Sequence, residues 1–174
     1  MSAIAVPYRQ MALNNAWANA TVYSALADIG ADALAAARPG FFGSLKATLN
    51  HILKVDEYYV DALEQGGIGR SVFYTPEHET VADLAAAQAA IDKRLTAFCA
   101  SLTPEILAET RQTERKDGVV DEEVSALLLH LFQHQIHHRG QAHVQIGEAG
   151  IAPPQLDEFH LDFERASTAE AYVR

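Results

Sequence analysis

The sequence is poor in cysteine, in basic residues and in long apolar runs. Cys99 is the one cysteine, which excludes an intrachain disulfide, and its helical surroundings indicate a buried, inert thiol. The formal net charge of −10 argues against non-specific binding to DNA or RNA. No apolar run approaches the ~18 residues of a membrane span. Residues 1–17 lack the pattern of a signal peptide, so we expect a soluble cytoplasmic protein without a membrane or nucleic-acid partner.

Histidine, by contrast, is concentrated in one stretch. Residues 127–145 hold five of the eight histidines, namely His130, His134, His137, His138 and His143. In a helix, residues four apart lie on one face, about 6 Å apart along the axis. Two such imidazoles can bind one divalent ion, but His130 and His138, about 12 Å apart, cannot. The stretch therefore predicts a metal site, and the alternative is a set of partly exposed or hydrogen-bonded core histidines.

The apolar positions of this helix indicate which pair would face a bundle interior. On a helical wheel His138 lies closest to the apolar arc, His134 comes next, and His130 and His137 lie further out. A site inside a bundle therefore favours His134 and His138. The arc consists of Val124, Leu127, Leu128, Leu131, Phe132 and Ile146.

Four segments have the apolar spacing of long helices, and the signals at their ends are clear. Ser44 and Thr80 are expected N-caps, and three acids at 121–124 are expected to start the last helix. The predicted helices run from Tyr8 to about Ile29 with a break at Gly30, from Ser44 to Gly66, from Thr80 to about Leu102, and from Asp121 to about Gly147.

The connections are also partly predictable. Residues 68–79 should contain no long element. Thr103-Pro104 can open one short turn, after which the chain up to residue 121 forms either a small β-hairpin or an irregular loop. The tail at 155–172 is expected to dock as a short final segment. Without repeats or linkers, residues 1–174 are predicted to form one domain with four main helices.

For several polar residues the sequence is compatible with more than one role. Asp56 lies in the apolar arc of the second helix, where a lone carboxylate would be costly. We expect it either to pair with Arg139 or to orient a ligand histidine, unless the helix is rotated so that Asp56 is exposed. Asn14, Asn15 and Asn19 are poor helix formers, which predicts an exposed or site-facing side for the first helix.

Two motifs carry a family resemblance. NHILKVDEYYVDAL in the second helix and HLFQHQIHHRGQAHVQI in the fourth, with the early Trp17 and the PPQLDEF tail, resemble the DinB family of metal-dependent proteins. The resemblance implies an all-α four-helix bundle, up-down-down-up, with a long crossover after helix two. It implies His51, His134 and His138 as metal ligands. His130, His137 and Gln141 match nearby positions, and we regard His130 and Gln141 as pocket candidates.

The resemblance also implies a chemistry. Three neutral histidines bind Zn²⁺, Ni²⁺ or a similar ion and leave positions open. Relatives include transferases that use low-molecular-weight thiols, so the metal could activate such a thiol for transfer to a small-molecule substrate. A homodimer through helices one and three is expected. The alternatives are a non-catalytic, stress-associated metal- or small-ligand-binding protein and, less favoured because no H-E-x-x-H is present, a metal-dependent hydrolase with Asp56 or Glu57 as base.

Overall fold

Four long helices form the body of the fold in the computed structural model, which describes residues 2–160 and 165–172. The expected all-α bundle is confirmed, with a small two-stranded sheet as an addition. The predicted final segment contains residues 161–164, which lie outside the described residues. The elements are α1 (Ala5–Ala25), α2 (Ala31–Ala35), α3 (Leu45–Glu64), α4 (Val81–Ala100), α5 (Pro104–Ala108), β1 (Thr110–Arg115), β2 (Gly118–Glu123) and α6 (Val124–Glu148), with 3₁₀ turns at Gly69–Tyr74 and Ser167–Tyr172.

The predicted helix starts match the capping hydrogen bonds. Ser44 Oγ accepts from Ala47 N at 3.1 Å at the start of α3, and Thr80 Oγ1 accepts from Asp83 N at 3.1 Å at the start of α4. Such caps satisfy backbone N–H groups that have no partner inside a helix. The predicted break at Gly30 is also present, because α1 ends at Ala25 and Gly30 is the extended residue before α2.

Contacts near the helix ends show that α3 and α4 run in the same direction. Lys46, at the start of α3, binds Glu79, just before α4, at 2.6 Å. Glu64, the last residue of α3, binds Arg94, near the end of α4, at 2.6 Å. A parallel neighbour requires a connection that returns along the bundle, and residues 65–80 provide the long crossover that was predicted.

The order of contacts is reversed between α3 and α6. Thr48 donates to Gln145 at 2.9 Å, whereas the ring of Tyr59, further along α3, lies 5.0 Å from that of His130, earlier in α6. The two helices are therefore antiparallel. Their middle turns face each other, which places residue 51 of α3 opposite the histidines of α6.

The sequence left two alternatives open for the chain between Thr103 and residue 121, a small β-hairpin or an irregular loop, and the structure has the hairpin. Strands β1 and β2 pair antiparallel, with Thr110 opposite Glu123 and Arg115 opposite Gly118. The prediction that Asp121–Glu123 open the last helix is wrong, because these acids belong to β2 and α6 begins at Val124. Glu122 accepts hydrogen bonds from Thr113 and Arg115 of β1, so its carboxylate stabilises the hairpin rather than the helix start.

One large apolar core fills the bundle, and the chain's tail covers a smaller one. Leu127, Leu128 and Leu131 of α6 are at most 2% exposed, each contributing about 1.5–3 kcal/mol by burial. Cys99 is fully buried and burial raises its pKa to about 12, in agreement with an inert thiol. The tail docks on α1, where Trp17 Nε1 donates to Thr168 Oγ1 at 3.0 Å.

No helix in residues 2–160 or 165–172 combines the length and the apolar character needed to cross a membrane.

Candidate metal centre

Three histidine rings from two helices converge on one point. His134 and His138 lie one turn apart on α6, and His51 faces them from α3. Their ligand nitrogens all lie within 4.8 Å of one another. His51 Nε2 and His134 Nε2 are 3.0 Å apart. The structure thus brings together the three predicted ligand residues, which we call the histidine cluster.

The spacing suits ligands of a shared ion. Two imidazole nitrogens at 2.0–2.1 Å from one ion are roughly 2.9–3.4 Å apart, depending on the coordination angle. The 3.0 Å separation of His51 Nε2 and His134 Nε2 falls in that range. Among the residues described, the cluster is the one group of three or more potential ligand side chains that could hold an ion. Imidazole sites of this type suit zinc, nickel and related ions.

Protonation also favours metal binding. Burial, and after it the neighbouring His138, lower the pKa of His51 to about 4. Burial and then the surrounding histidines lower the pKa of His134 to about 3. Burial likewise lowers the pKa of His138. The rings are therefore neutral at pH 7 and keep the lone pairs that a metal ion requires.

The orientation of His138 is fixed by a glutamine on the same helix. His138 Nδ1 lies 2.9 Å from Gln141 Oε1, which can only accept, so Nδ1 carries the proton and Nε2 is free. The Gln141 amide nitrogen lies 3.1 Å from His137 Nε2. In the described part of the chain His134 Nδ1 is buried without a partner. Metal-binding histidines commonly have a hydrogen-bonded second nitrogen, as His138 has here.

An aromatic residue that the sequence analysis did not single out covers the cluster. The Phe42 ring stacks on that of His51 at 4.2 Å and lies 5.4 Å from that of His138. Phe41 beside it is 82% exposed. The two rings form an apolar wall at one side of the histidines, and no sequence pattern indicated it because the loop is far from α6 along the chain.

The loop that carries Phe42 is attached to α6. Gln145 donates from Nε2 to Pro39 O at 3.2 Å, and its Oε1 accepts from Thr48. Gly40 has a φ of +132°, and a Cβ there would lie 3.0 Å from Gln145 Nε2. Glycine is therefore required at this position by both backbone conformation and space.

His130 lies outside the histidine cluster. Its ring centre is 6.1 Å from that of His134 and 5.0 Å from that of Tyr59. Tyr59 in turn accepts a hydrogen bond at 2.9 Å from Arg115 of the hairpin. His130 therefore lies beside Tyr59 and away from the three converging rings, so the structure does not place it as a ligand of the same ion.

Asp56 belongs to a second group of buried side chains beneath the histidines. It is 1% exposed, and its Oδ2 accepts from Gln88 Nε2 at 2.7 Å and from Gln135 Nε2. Gln135 Oε1 accepts from Arg139 at 3.0 Å. The expected direct pair of Asp56 and Arg139 is therefore corrected to an indirect one, with Gln135 between them. The readings in which Asp56 is exposed or orients a histidine do not match these contacts.

The first helix supplies two further members of this group. Arg139 donates to Asn15 Oδ1 and, at 2.9 Å, to Asn19 Oδ1, and both amides donate to Asp92. The expectation of an exposed or site-facing side is wrong for Asn15 and Asn19, which are 2% and 3% exposed, whereas Asn14 is half-buried. We call the whole group the polar cluster; its members are Asn15, Asn19, Asp56, Gln88, Asp92, Gln135 and Arg139.

Burial governs the ionisation of the polar cluster. Burial raises the pKa of Asp92 to about 6, although hydrogen bonds from Asn19 and Gln88 act to lower it. It raises the pKa of Asp56 as well, with Asp92 adding to the effect. Burial lowers the pKa of Arg139 to about 10, which the two carboxylates oppose. The single cation therefore remains charged at pH 7, close to both acids.

The fold and the site define a helical-bundle protein with a three-histidine group that could hold a divalent metal ion. The chain belongs to the DinB family, whose model matches residues 1–169. Among curated proteins, none matches the chain significantly.

Proposed function

We propose that the protein binds one divalent transition metal ion, Zn²⁺ or Ni²⁺, through His51, His134 and His138, and uses it to activate a low-molecular-weight thiol for S-transfer. The observation that carries the metal proposal is the convergence of three neutral imidazoles within 4.8 Å. Three ligands leave further positions of the ion open for an external group.

The thiol part rests on the chemistry of such a site. A divalent ion held by three neutral imidazoles would lower the pKa of a thiol at an open position. In the transfer, the thiol releases its proton to solvent and its sulfur forms a bond to an electrophilic carbon. The leaving group departs with the electron pair of the broken bond. The exposed ring of Phe41 offers an apolar surface for the electrophile.

Metal content is the first test. Untagged protein, purified and reconstituted with Zn²⁺ or Ni²⁺, is measured by elemental mass spectrometry beside the His51→Ala/His134→Ala/His138→Ala variant. We expect about one ion per chain in the parent protein and none in the variant. His143→Ala is the matched control, because this histidine of α6 is bound to Pro154 O at 3.0 Å, outside the cluster. An equal metal content in the triple variant would refute the site.

Activity is tested separately with glutathione, bacillithiol and mycothiol, each offered with an aromatic electrophile. Loss of free thiol that requires both the loaded metal and the three histidines would support S-transfer. Stoichiometric metal without thiol consumption by any pair would refute the transferase proposal while leaving metal binding intact.

One observation favours a second candidate, a non-catalytic metal- or small-ligand-binding protein. Phe42 stacks directly on His51 at 4.2 Å and thereby covers one side of the site with an apolar ring. A covered ion would exchange slowly and would not accept a thiol. Thiol binding by the metal-loaded parent protein and by Phe42→Ala distinguishes the candidates: an ion enclosed by the ring accepts no thiol in the parent and accepts one only in Phe42→Ala, which also loses metal faster to a chelator, whereas an open site accepts the thiol in both proteins.

The homodimer remains a prediction from the resemblance, and the cytoplasmic location remains a prediction from the composition of the sequence. Helices one and three of the bundle are α1 and α4, and between them lies a groove of about 870 Å³ with many alanines in its walls. Light scattering of the parent protein and of Ala89→Arg, which places a charge in that groove, tests the dimer. A parent protein with the mass of a single chain would refute it.

A further inference from the structure

Two members of the polar cluster lie on α6, and each directly follows a member of the histidine cluster in the sequence. Gln135 follows His134, and Arg139 follows His138. Consecutive side chains on a helix point about 100° apart. A side chain that is held in one direction inside the bundle therefore also fixes the direction of its neighbour. Gln135 is fully buried and Arg139 is 5% exposed, whereas His134 and His138 converge with His51 of α3.

These two residues attach α6 to two different helices. Gln135 donates to Asp56 of α3, and Arg139 donates to Asn15 and Asn19 of α1. Asp56 lies on the helix that carries His51, so one hydrogen bond joins the two ligand-bearing helices directly. The contacts oppose rotation of α6 about its axis and sliding along α3.

We infer that Gln135 and Arg139 are positioning residues, whose contacts with Asp56, Asn15 and Asn19 hold His134 and His138 opposite His51 before an ion is bound. The inference rests on the proposed metal site and adds residues that do not contact the ion. Such residues set how much of the binding free energy is lost to reorganisation of the ligands.

A purely structural role would be shared by every member of the polar cluster, and the structure offers a matched comparison. Gln88 is also a buried glutamine, 1% exposed, and donates to the same Oδ2 atom of Asp56 as Gln135. It lies on α4, which contributes no residue to the histidine cluster. Gln88→Leu and Gln135→Leu therefore each remove a hydrogen bond to Asp56, from a helix without ligands and from a helix with ligands respectively; Gln88→Leu also removes a bond to Asp92, and Gln135→Leu removes the one from Arg139.

The first readout is Zn²⁺ affinity in a competition titration with a chromophoric chelator, on protein shown to be folded by circular dichroism. We expect Gln135→Leu to weaken binding by about tenfold or more, and Gln88→Leu by less than about threefold. Equal losses in the two variants, or no loss in Gln135→Leu, would overturn the inference.

The second readout needs no metal. The Nε2 atoms of His51 and His134 lie 3.0 Å apart, so if the polar cluster holds the two rings in place without an ion, their ring protons should show a nuclear Overhauser contact in metal-free protein. We expect this contact in the parent protein and in Gln88→Leu, and a weaker one in Gln135→Leu. An unchanged contact in Gln135→Leu would contradict the positioning role even if the protein bound no metal, so failure of the inference and failure of the metal proposal are distinguishable.

A double variant with donor and acceptor exchanged tests the inference if Gln135→Leu does not fold. Asp56→Asn together with Gln135→Glu reverses the donor and the acceptor but keeps a hydrogen bond between α3 and α6. We expect this double variant to retain the ring contact and to bind Zn²⁺ within about threefold of the parent protein. A folded double variant that lacks the ring contact would overturn the inference.

Discussion

The histidine cluster and the polar cluster share helices α3 and α6, yet their side chains are bonded in different ways. In the polar cluster, Arg139 has three acceptors and Asp92 has amide donors from two helices, although Asp56 Oδ1 and Gln88 Oε1 have no partner among the described residues. In the histidine cluster, neutral rings lie against one another, and His134 Nδ1 likewise has no partner there. A buried cation therefore joins the members of the polar cluster, whereas the rings of the histidine cluster carry no charge, and we expect an added ion to stabilise them.

Removal of the cation should have the largest effect. Arg139→Met leaves three buried amide oxygens without their donor and removes the positive charge near the Asp56 and Asp92 carboxyl groups, so we expect a loss of about 3–5 kcal/mol in the free energy of unfolding. The measurement is urea unfolding of metal-free protein. Arg94→Met serves as the control, because its bond to Glu64 is partly exposed and should contribute about 0–1 kcal/mol. Similar losses in the two variants would contradict the comparison.

Added Zn²⁺ should stabilise the folded protein, and it should do so only by binding to the histidine cluster. At a free Zn²⁺ concentration of about 100 times its dissociation constant, the free energy of unfolding should rise by about 2.7 kcal/mol. The His51→Ala/His134→Ala/His138→Ala variant should show no rise, while Arg139→Met should still show one of smaller size. Stabilisation of the triple histidine variant would mean that the ion binds elsewhere.

The two clusters should also make stability depend on pH in opposite directions. The pKa of His134 is lowered to about 3, so between pH 6.5 and 4 the unfolded chain takes up a proton that the folded chain does not, and stability falls with falling pH. The pKa of Asp92 is raised to about 6, so between about pH 4 and pH 6 the folded chain keeps a proton that the unfolded chain loses. This second effect lowers stability as pH rises, by on the order of 3 kcal/mol.

Single variants separate the two effects. Urea unfolding in the presence of a chelator, between about pH 4 and pH 7, should give His134→Ala a shallower loss of stability on acidification than the parent protein. Asp92→Asn should give a steeper loss, because the opposing contribution is removed. Changes of slope in the same direction for both variants would refute the assignment of opposite signs.

The comparison also shows which features a sequence can predict. The pair His134 and His138 follows from helical spacing, and Ser44 and Thr80 follow from local capping, because each signal lies within one or two turns. His51 required the family resemblance, since only the antiparallel packing of α3 and α6 brings it to the pair.

The polar cluster could be predicted only in part. The apolar arcs indicated that a buried Asp56 needs a partner and suggested Arg139, but the other members could not be predicted because their partners are far apart along the chain. Asn19 and Asp92 are 73 residues apart, and a pattern of poor helix formers cannot distinguish a buried asparagine bound to a carboxylate from an exposed one. The prediction that Asp121–Glu123 begin the last helix was wrong for a related reason. Glu122 suits the first turn of a helix and a strand equally well by local sequence, and in the strand it binds Arg115 on the neighbouring strand.

The smallest expected effect concerns the one member of the histidine cluster whose second nitrogen has a partner. Gln141→Leu removes the acceptor of His138 Nδ1, so the ring can change tautomer and direction, and we expect Zn²⁺ binding to weaken by about tenfold with little loss of stability. Two-bond nitrogen–proton spectra of the metal-free variant should show His138 as a mixture of tautomers. Gln133→Leu, an exposed glutamine on the same helix, should change neither property. A single unchanged tautomer in Gln141→Leu would mean that the histidine cluster, like the polar cluster, is already fixed by packing rather than by this hydrogen bond.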